Sequence, residues 1–182
     1  MNNPSADRPP LLMTRTAAFI AVGLVSGYAL AAVPNVELVT ATCFCAGYVL
    51  GPGAGVFCGA FTEALFAGFH PMGSSFGLTL LAQVIGMALA GLLGSVCAIL
   101  AKRASEWLRA ALVVAFGILS TLIFDFITNL AFPITAGFSY SQTLASFALA
   151  LPFAAIHLVS NTLVFAVIVA PILPRLQRII TP

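Results

Sequence analysis

What this chain lacks above all is charge. Of its 182 residues only 7 are Lys or Arg and 5 are Asp or Glu, against a hydrophobic share of 61%. A soluble domain carries about 25% charged residues, because it needs a wet surface. So sparse a set cannot clothe a chain of this length in water. Lipid removes the need, since it lets the exterior be as apolar as the interior. The mean hydropathy of +1.11 points the same way. Other absences narrow the function. No basic run marks a phosphate-binding face and the net charge is only +2, so nucleic acid is not an expected partner. Gly51-Pro52-Gly53-Ala54-Gly55 lacks the Gly-Lys-Ser/Thr ending of a phosphate loop and reads as a tight turn. Cys43, Cys45, Cys58 and Cys97 have no paired spacing and no accompanying His pattern, so they read as small buried apolar residues and no metal site is expected. No Ser-His-Asp or HExxH arrangement is present. The chain is therefore expected to be no enzyme, with no catalytic residues and no cofactor.

What remains is an all-α integral membrane protein of six apolar segments. A spanning helix needs roughly 20 residues, and Gly, Pro and charge mark its ends. Residues 1–12 (MNNPSADRPPLL) are polar and Pro-rich and read as a short disordered tail, leaving 13–182 as a six-helix substrate-binding domain. The apolar run from Met13 to Val33 is too long for a signal-peptide core of about 7–15 residues, so it reads as the first spanning helix. The next segments run from Val36 to Leu50, Ala54 to Phe69, Leu78 to Leu100, Ala110 to Phe132 (closed by Pro133) and Leu144 to Leu173 (bounded by Pro174). The second and third are short enough for tilt or partial insertion. Pro152 and Pro171 inside the sixth suggest a kink or a shorter span.

Charge supplies the orientation. With six spans, Arg8, Arg15, Lys102, Arg103, Arg109, Arg175 and Arg178 all fall on one side, which the positive-inside tendency makes cytoplasmic, together with both termini. The polar residues within the spans then gather toward the other side. Burying Asp at a helix centre costs roughly 2.5–3.5 kcal/mol by insertion assays, so such residues face a cavity or a partner. Glu37 begins the second helix, Glu63 lies in the third and Gln83 in the fourth. Asp125 and Asn129 share a face of the fifth helix, as do His157 and Asn161 of the sixth, each pair being spaced i, i+4. His70 and Tyr140 belong to outer connections. The set describes a solute pocket open to the outside, with Glu37, Glu63, Gln83, Asp125, Asn129, Tyr140, His157 and Asn161 as its candidate contacts.

Each has a second reading. Gln83, Asn129 and Asn161 can be interhelical hydrogen-bonding residues. Glu63, Asp125 and His157 can form a structural network, and Glu37 can serve only the start of its helix. Asn35 reads as a turn residue or helix cap. Ala17, Ala21, Gly23, Gly27 and Ala31 on the first helix, and Gly86, Ala90 and Gly94 on the fourth, form small-residue stripes that permit close packing within the chain or against a partner.

Several segments carry a family resemblance. Val33-Pro34-Asn35-Val36-Glu37-Leu38-Val39-Thr40 with Gly47-Tyr48-Val49-Leu50-Gly51-Pro52 resembles the start of a substrate-binding S component of an energy-coupling factor (ECF) transporter. Leu81 to Met87, Phe124 to Asn129 and Ile156 to Asn161 extend the likeness, in order, over nearly the whole chain. The resemblance implies six helices around a pocket near the extracellular side of a prokaryotic cell membrane. It implies a transmembrane coupling subunit and two cytoplasmic ATPases as partners, with Ala17 and Ala21 matching the Ala-xxx-Ala stripe such proteins present to the coupling subunit. In that scheme the S component binds a vitamin or precursor, topples in the membrane and releases it inward at the expense of ATP hydrolysed elsewhere. Three carboxylates and no Lys or Arg in the proposed outer half disfavour an anionic ligand. A neutral or cationic, donor-rich solute is expected, for example a pyrimidine, a deazapurine amine or a corrinoid. Two other classes remain: a self-sufficient carrier or channel relaying protons through Glu63, Asp125 and His157, and a membrane scaffold that binds no solute.

Overall fold

A computed structural model of the chain describes residues 9–180 and is helical almost throughout, with no strand among the described residues. In order come α1 (Pro9–Leu30), α2 (Val39–Leu50), α3 (Pro52–Gly68), α4 (Gly77–Ala101), α5 (Glu106–Thr135), α6 (Tyr140–Val164), a π-helical turn (Phe165–Val169) and α7 (Ala170–Ile180). The last three form one continuous 41-residue rod. Counting that rod as one, four helices are long and apolar enough to cross a membrane, and α2 is a shorter apolar one. Large apolar side chains cover the exterior; Val25, Ile99, Leu149 and Val167 are each at least 70% exposed. A soluble protein rarely shows apolar surface on this scale. The chain has the build of a multi-pass helical membrane protein.

Boundaries depart from the pattern reading where proline is involved. The expected tail at 1–12 lies outside the described residues as far as residue 8, and residues 9–12 already belong to α1. Pro9 and Pro10 sit in the first turn, where a missing N–H removes no helical hydrogen bond. Pro133 lies inside α5 instead of closing it, and Pro174 lies inside α7 instead of bounding the sixth helix. The rod passes Pro171 by widening just before it: the Ala170 amide donates to the Phe165 carbonyl, five residues back. The wider turn relieves the crowding that a proline ring imposes on the preceding turn, so the helix continues where an α-helix would break.

Small residues place α2 at the centre. Nine of its twelve residues are buried. Its length of about 18 Å is below the hydrocarbon thickness, but protein rather than lipid surrounds most of it. Gly51, with φ at 94°, is the single residue separating α2 from α3, and Pro52 then opens α3 at its first position. Gly47 of α2, Gly55 of α3 and Gly91 of α4 meet backbone to backbone, and a Cβ on Gly47 would collide with the Gly91 carbonyl. Gly59 lies against the Met87 carbonyl and Gly94 against that of Phe44. The stripe Gly86, Ala90, Gly94 is thus internal packing. So are Gly23 and Gly27, which lie against Thr62 and against Val39 and Phe66. Ala17 and Ala21 are different: both are exposed, on the side of α1 away from its buried residues Thr16, Ile20, Gly23 and Gly27. All four cysteines are free thiols, and only Cys45 is less than fully buried.

Helix α6 begins with a reciprocal cap. The Gln142 amide donates to the Ser139 hydroxyl at 3.4 Å, and the Ser139 amide donates to the Gln142 side-chain oxygen at 2.8 Å. Ser139→Ala should lower unfolding stability in detergent by about 1 kcal/mol. Unchanged denaturation would show that the cap carries no stability here.

Candidate functional site

A cavity of about 500 Å3 lies toward one end of the bundle, where the C-terminal parts of α1, α3 and α5 meet the N-terminal parts of α2 and α4 and the middle of α6. Its wall includes the α1–α2 connection from Val33 to Glu37. The described basic residues stand toward the opposite helix ends: Arg15 in the first turns of α1, Lys102 and Arg103 after α4, Arg109 in the first turn of α5, Arg175 and Arg178 on α7. Alternation of helix direction produces this polarity. Residues far apart in sequence but equal in depth are thereby brought to one end.

Six of the eight residues expected at a pocket line this cavity: Glu37, Glu63, Gln83, Asp125, Asn129 and His157. Asn161 lies just below, fully buried and directly bonded to the lining residues. Tyr140 is not part of the site. It is the first residue of α6 and 80% exposed, whereas the α6 contribution to the wall begins at Ala150. Ten residues of helix are about 15 Å, too far for a side chain to bridge.

His157 is the hub. Its Nδ1 lies 2.7 Å from Asp125 Oδ1 and its Nε2 lies 3.4 Å from Glu37 Oε1. A doubly protonated ring donates to both carboxylates; a neutral ring can donate to only one. Asn161 Nδ2 is 3.1 Å from Glu37 Oε1, 3.1 Å from Thr121 Oγ1 and 3.0 Å from His157 Nε2. With two hydrogens, the amide serves Glu37 and Thr121 when the ring is doubly protonated; a neutral ring with its proton on Nδ1 instead accepts from the amide at Nε2. The other oxygen of Glu37 accepts from the Thr40 amide at 2.8 Å. Glu37 therefore serves the start of α2 and the site together. Burial opposes its ionisation, but the His157 ring and Thr40 outweigh that and hold its carboxyl below the ordinary value. Ser160 Oγ donates to the Asn35 carbonyl at 2.8 Å, which ties the α1–α2 connection to α6. Asn35 itself has φ at 56°, a left-handed conformation that Asn tolerates, as suits a turn residue.

Partners separate the roles of the polar groups. Glu37 has both oxygens engaged within the protein. Asn129 donates to the Asp125 carbonyl at 2.8 Å, one turn back on its own helix, although it also lines the cavity. In contrast, Glu63 Oε2, Gln83 Oε1, Asp125 Oδ2 and Thr40 Oγ1, buried atoms of residues in the cavity wall, have no hydrogen-bond partner among the described residues, and neither does Asn161 Oδ1 below the cavity. Glu63 is only 3% exposed. Leaving a buried polar atom unpaired costs about 1–3 kcal/mol, more when it is charged. A solute that donates hydrogen bonds would relieve that cost at several atoms together.

The pattern reading missed part of the site. Thr40 lies three residues after Glu37 and Thr121 four before Asp125, and helical spacing would have found both. Phe66, Phe124 and Phe153 also line the cavity, and the Phe124 ring stands edge-on to His157 at 6.0 Å between centroids. Nothing distinguishes these three among 15 phenylalanines in the sequence. Among the described residues no cluster of His, Cys, Asp and Glu is arranged to hold a metal ion.

No family model, curated protein or solved structure matches the chain. The chemistry of the site therefore rests on its own geometry.

Proposed function

We propose that this chain is the membrane-embedded, solute-binding subunit of an ATP-driven importer of the ECF S-component kind, taking up a vitamin or vitamin precursor in a prokaryotic cell. In this reading the chain crosses the membrane six times, with the α6–α7 rod as the last span and both termini in the cytoplasm. The cavity then opens toward the outside. The observation that carries the reading is the closed set of polar side chains from five elements around one cavity, at the end of the bundle remote from the basic residues. A structural ion-pair network would be expected to satisfy its own members, whereas here Glu63, Gln83 and Asp125 each keep an unpaired acceptor.

Glu63 and Asp125 accept hydrogen bonds from the solute and Gln83 adds a third acceptor. Asn129 and His157 orient it, while Asn161 acts from below by fixing Glu37. The exposed Ala17 and Ala21 let a helix of the coupling subunit approach α1 closely. Energy comes from two partner ATPases, so uptake into liposomes should require the coupling subunit and ATPases along with this chain. Uptake by the chain alone under a proton gradient would instead favour the carrier reading, for which the Asp125–His157–Glu37 contacts could serve as a relay. Native mass spectrometry of the freshly purified protein should show a bound small molecule. Asp125→Ala should weaken its affinity about tenfold or more, the worth of a hydrogen bond to a charged group. Unchanged affinity would remove Asp125 from the ligand contacts.

A further inference from the structure

We infer that the ligand of this cavity is an organic cation: a flat ring bearing a protonated nitrogen with N–H donors, held between Glu63 and Asp125. This rests on the solute-site reading above and specifies its charge. Three carboxylates reach the cavity, from the α1–α2 connection, from α3 and from α5, and no Lys or Arg lines it. One imidazole, His157, stands between two of them, Glu37 and Asp125. His70 lies at the rim with its Nδ1 accepting from the Met72 amide at 3.2 Å and its ring edge-on to Phe66. Even with His157 charged, carboxylates outnumber cations around this cavity, and an unbalanced charge drawn out of bulk water is expensive.

The unpaired atoms say where the positive charge belongs. Glu37 is engaged through both oxygens, so it is a positioning residue for His157. Glu63 Oε2 and Asp125 Oδ2 are unpaired, and Gln83 Oε1 adds an uncharged acceptor. Among the described residues Glu63 also has no charged neighbour within ion-pairing distance, although it is almost completely buried. Acceptors without donors select a ligand that donates, and a charged donor gives the shorter, stronger bond. The rest of the wall agrees with a flat cation, because the faces of Phe66, Phe124 and Phe153 attract positive charge and pack against a ring.

Benzamidine, benzamide and benzoate have nearly the same shape and carry charges of one plus, zero and one minus, so they isolate this variable. Binding of each to the full chain in lipid nanodiscs is measured by calorimetry. Benzamidine is expected to bind about tenfold or more tightly than benzamide, and benzoate not at all. Glu63→Gln, which keeps the side-chain volume and removes only the charge, should bring the benzamidine-to-benzamide ratio close to one. Tyr140→Ala should leave it unchanged. If benzamide or benzoate binds as tightly as benzamidine, the cation assignment is wrong while the cavity remains a solute site. If Glu63→Gln folds and keeps the full ratio, Glu63 does not hold the charge and the assignment also fails. If none of the three binds, the solute-site reading falls with it.

Discussion

His157→Ala should be among the most damaging single substitutions in this chain, costing about 3–5 kcal/mol of stability, the range for breaking one partner out of a buried ion pair. The ring touches Asp125 at 2.7 Å and Glu37 at 3.4 Å, and the side chains of both carboxylates are at most 17% exposed. Removing it leaves two carboxylates facing each other's field in an enclosed site. Asn161 can still donate to Glu37, but an amide cannot balance its charge. The loss should be visible in denaturant unfolding of the detergent-solubilised protein. It should shrink when Asp125→Asn and Glu37→Gln accompany His157→Ala, because the triple variant leaves no charge at the three positions whose contacts were broken. Additive losses in the triple variant would show that the three side chains do not act as a unit. His157→Gln, which keeps a donor but no charge, should fall between.

Gly91→Val should prevent the bundle from assembling. A Cβ at Gly91 would strike the Gly55 carbonyl, and the Gly91 carbonyl is itself what a Cβ on Gly47 would meet. Overpacked side chains typically cost about 1–3 kcal/mol, because flexible neighbours move aside. Here the neighbour is backbone on two other helices, so the cost should exceed that range. Displacing α3 would also move Glu63, two turns beyond Gly55 on the same helix. The expected outcome is a polydisperse elution profile after extraction. Gly53→Ala is the matched control, since a Cβ there meets nothing within 4 Å. A monodisperse, solute-binding Gly91→Val protein would mean that α3 and α4 are not packed as described.

The two substitutions differ in how visible their targets are in the sequence. His157 can be singled out there, because an ionisable residue in an apolar run needs a partner and Asn161 one turn later marks the face. That Glu37, 120 residues earlier, is one of its partners cannot be seen. Gly91 is harder still. It stands one residue off the stripe Gly86, Ala90, Gly94, and nothing marks it out among the chain's 15 glycines. Tyr140 shows the opposite case: a polar residue near the start of α6 looks available in the sequence, but ten residues of helix separate it from the part of α6 that lines the cavity.

Composition and pattern by themselves determined the class, the approximate positions of the helices and the separation of the basic residues from the polar residues within the apolar segments. The physical reason is that lipid acts on each segment separately: length, hydropathy and flanking charge decide the fate of a helix before it meets a neighbour. Only the tertiary structure decided which side chains share a cavity, that Glu37 and Asp125 divide one imidazole between them, that Tyr140 stands apart and that prolines 133, 171 and 174 fail to end their helices. Those outcomes depend on helix rotation and on backbone contact among Gly47, Gly55 and Gly91. Such contacts are set jointly by several helices, so no single segment of sequence contains them.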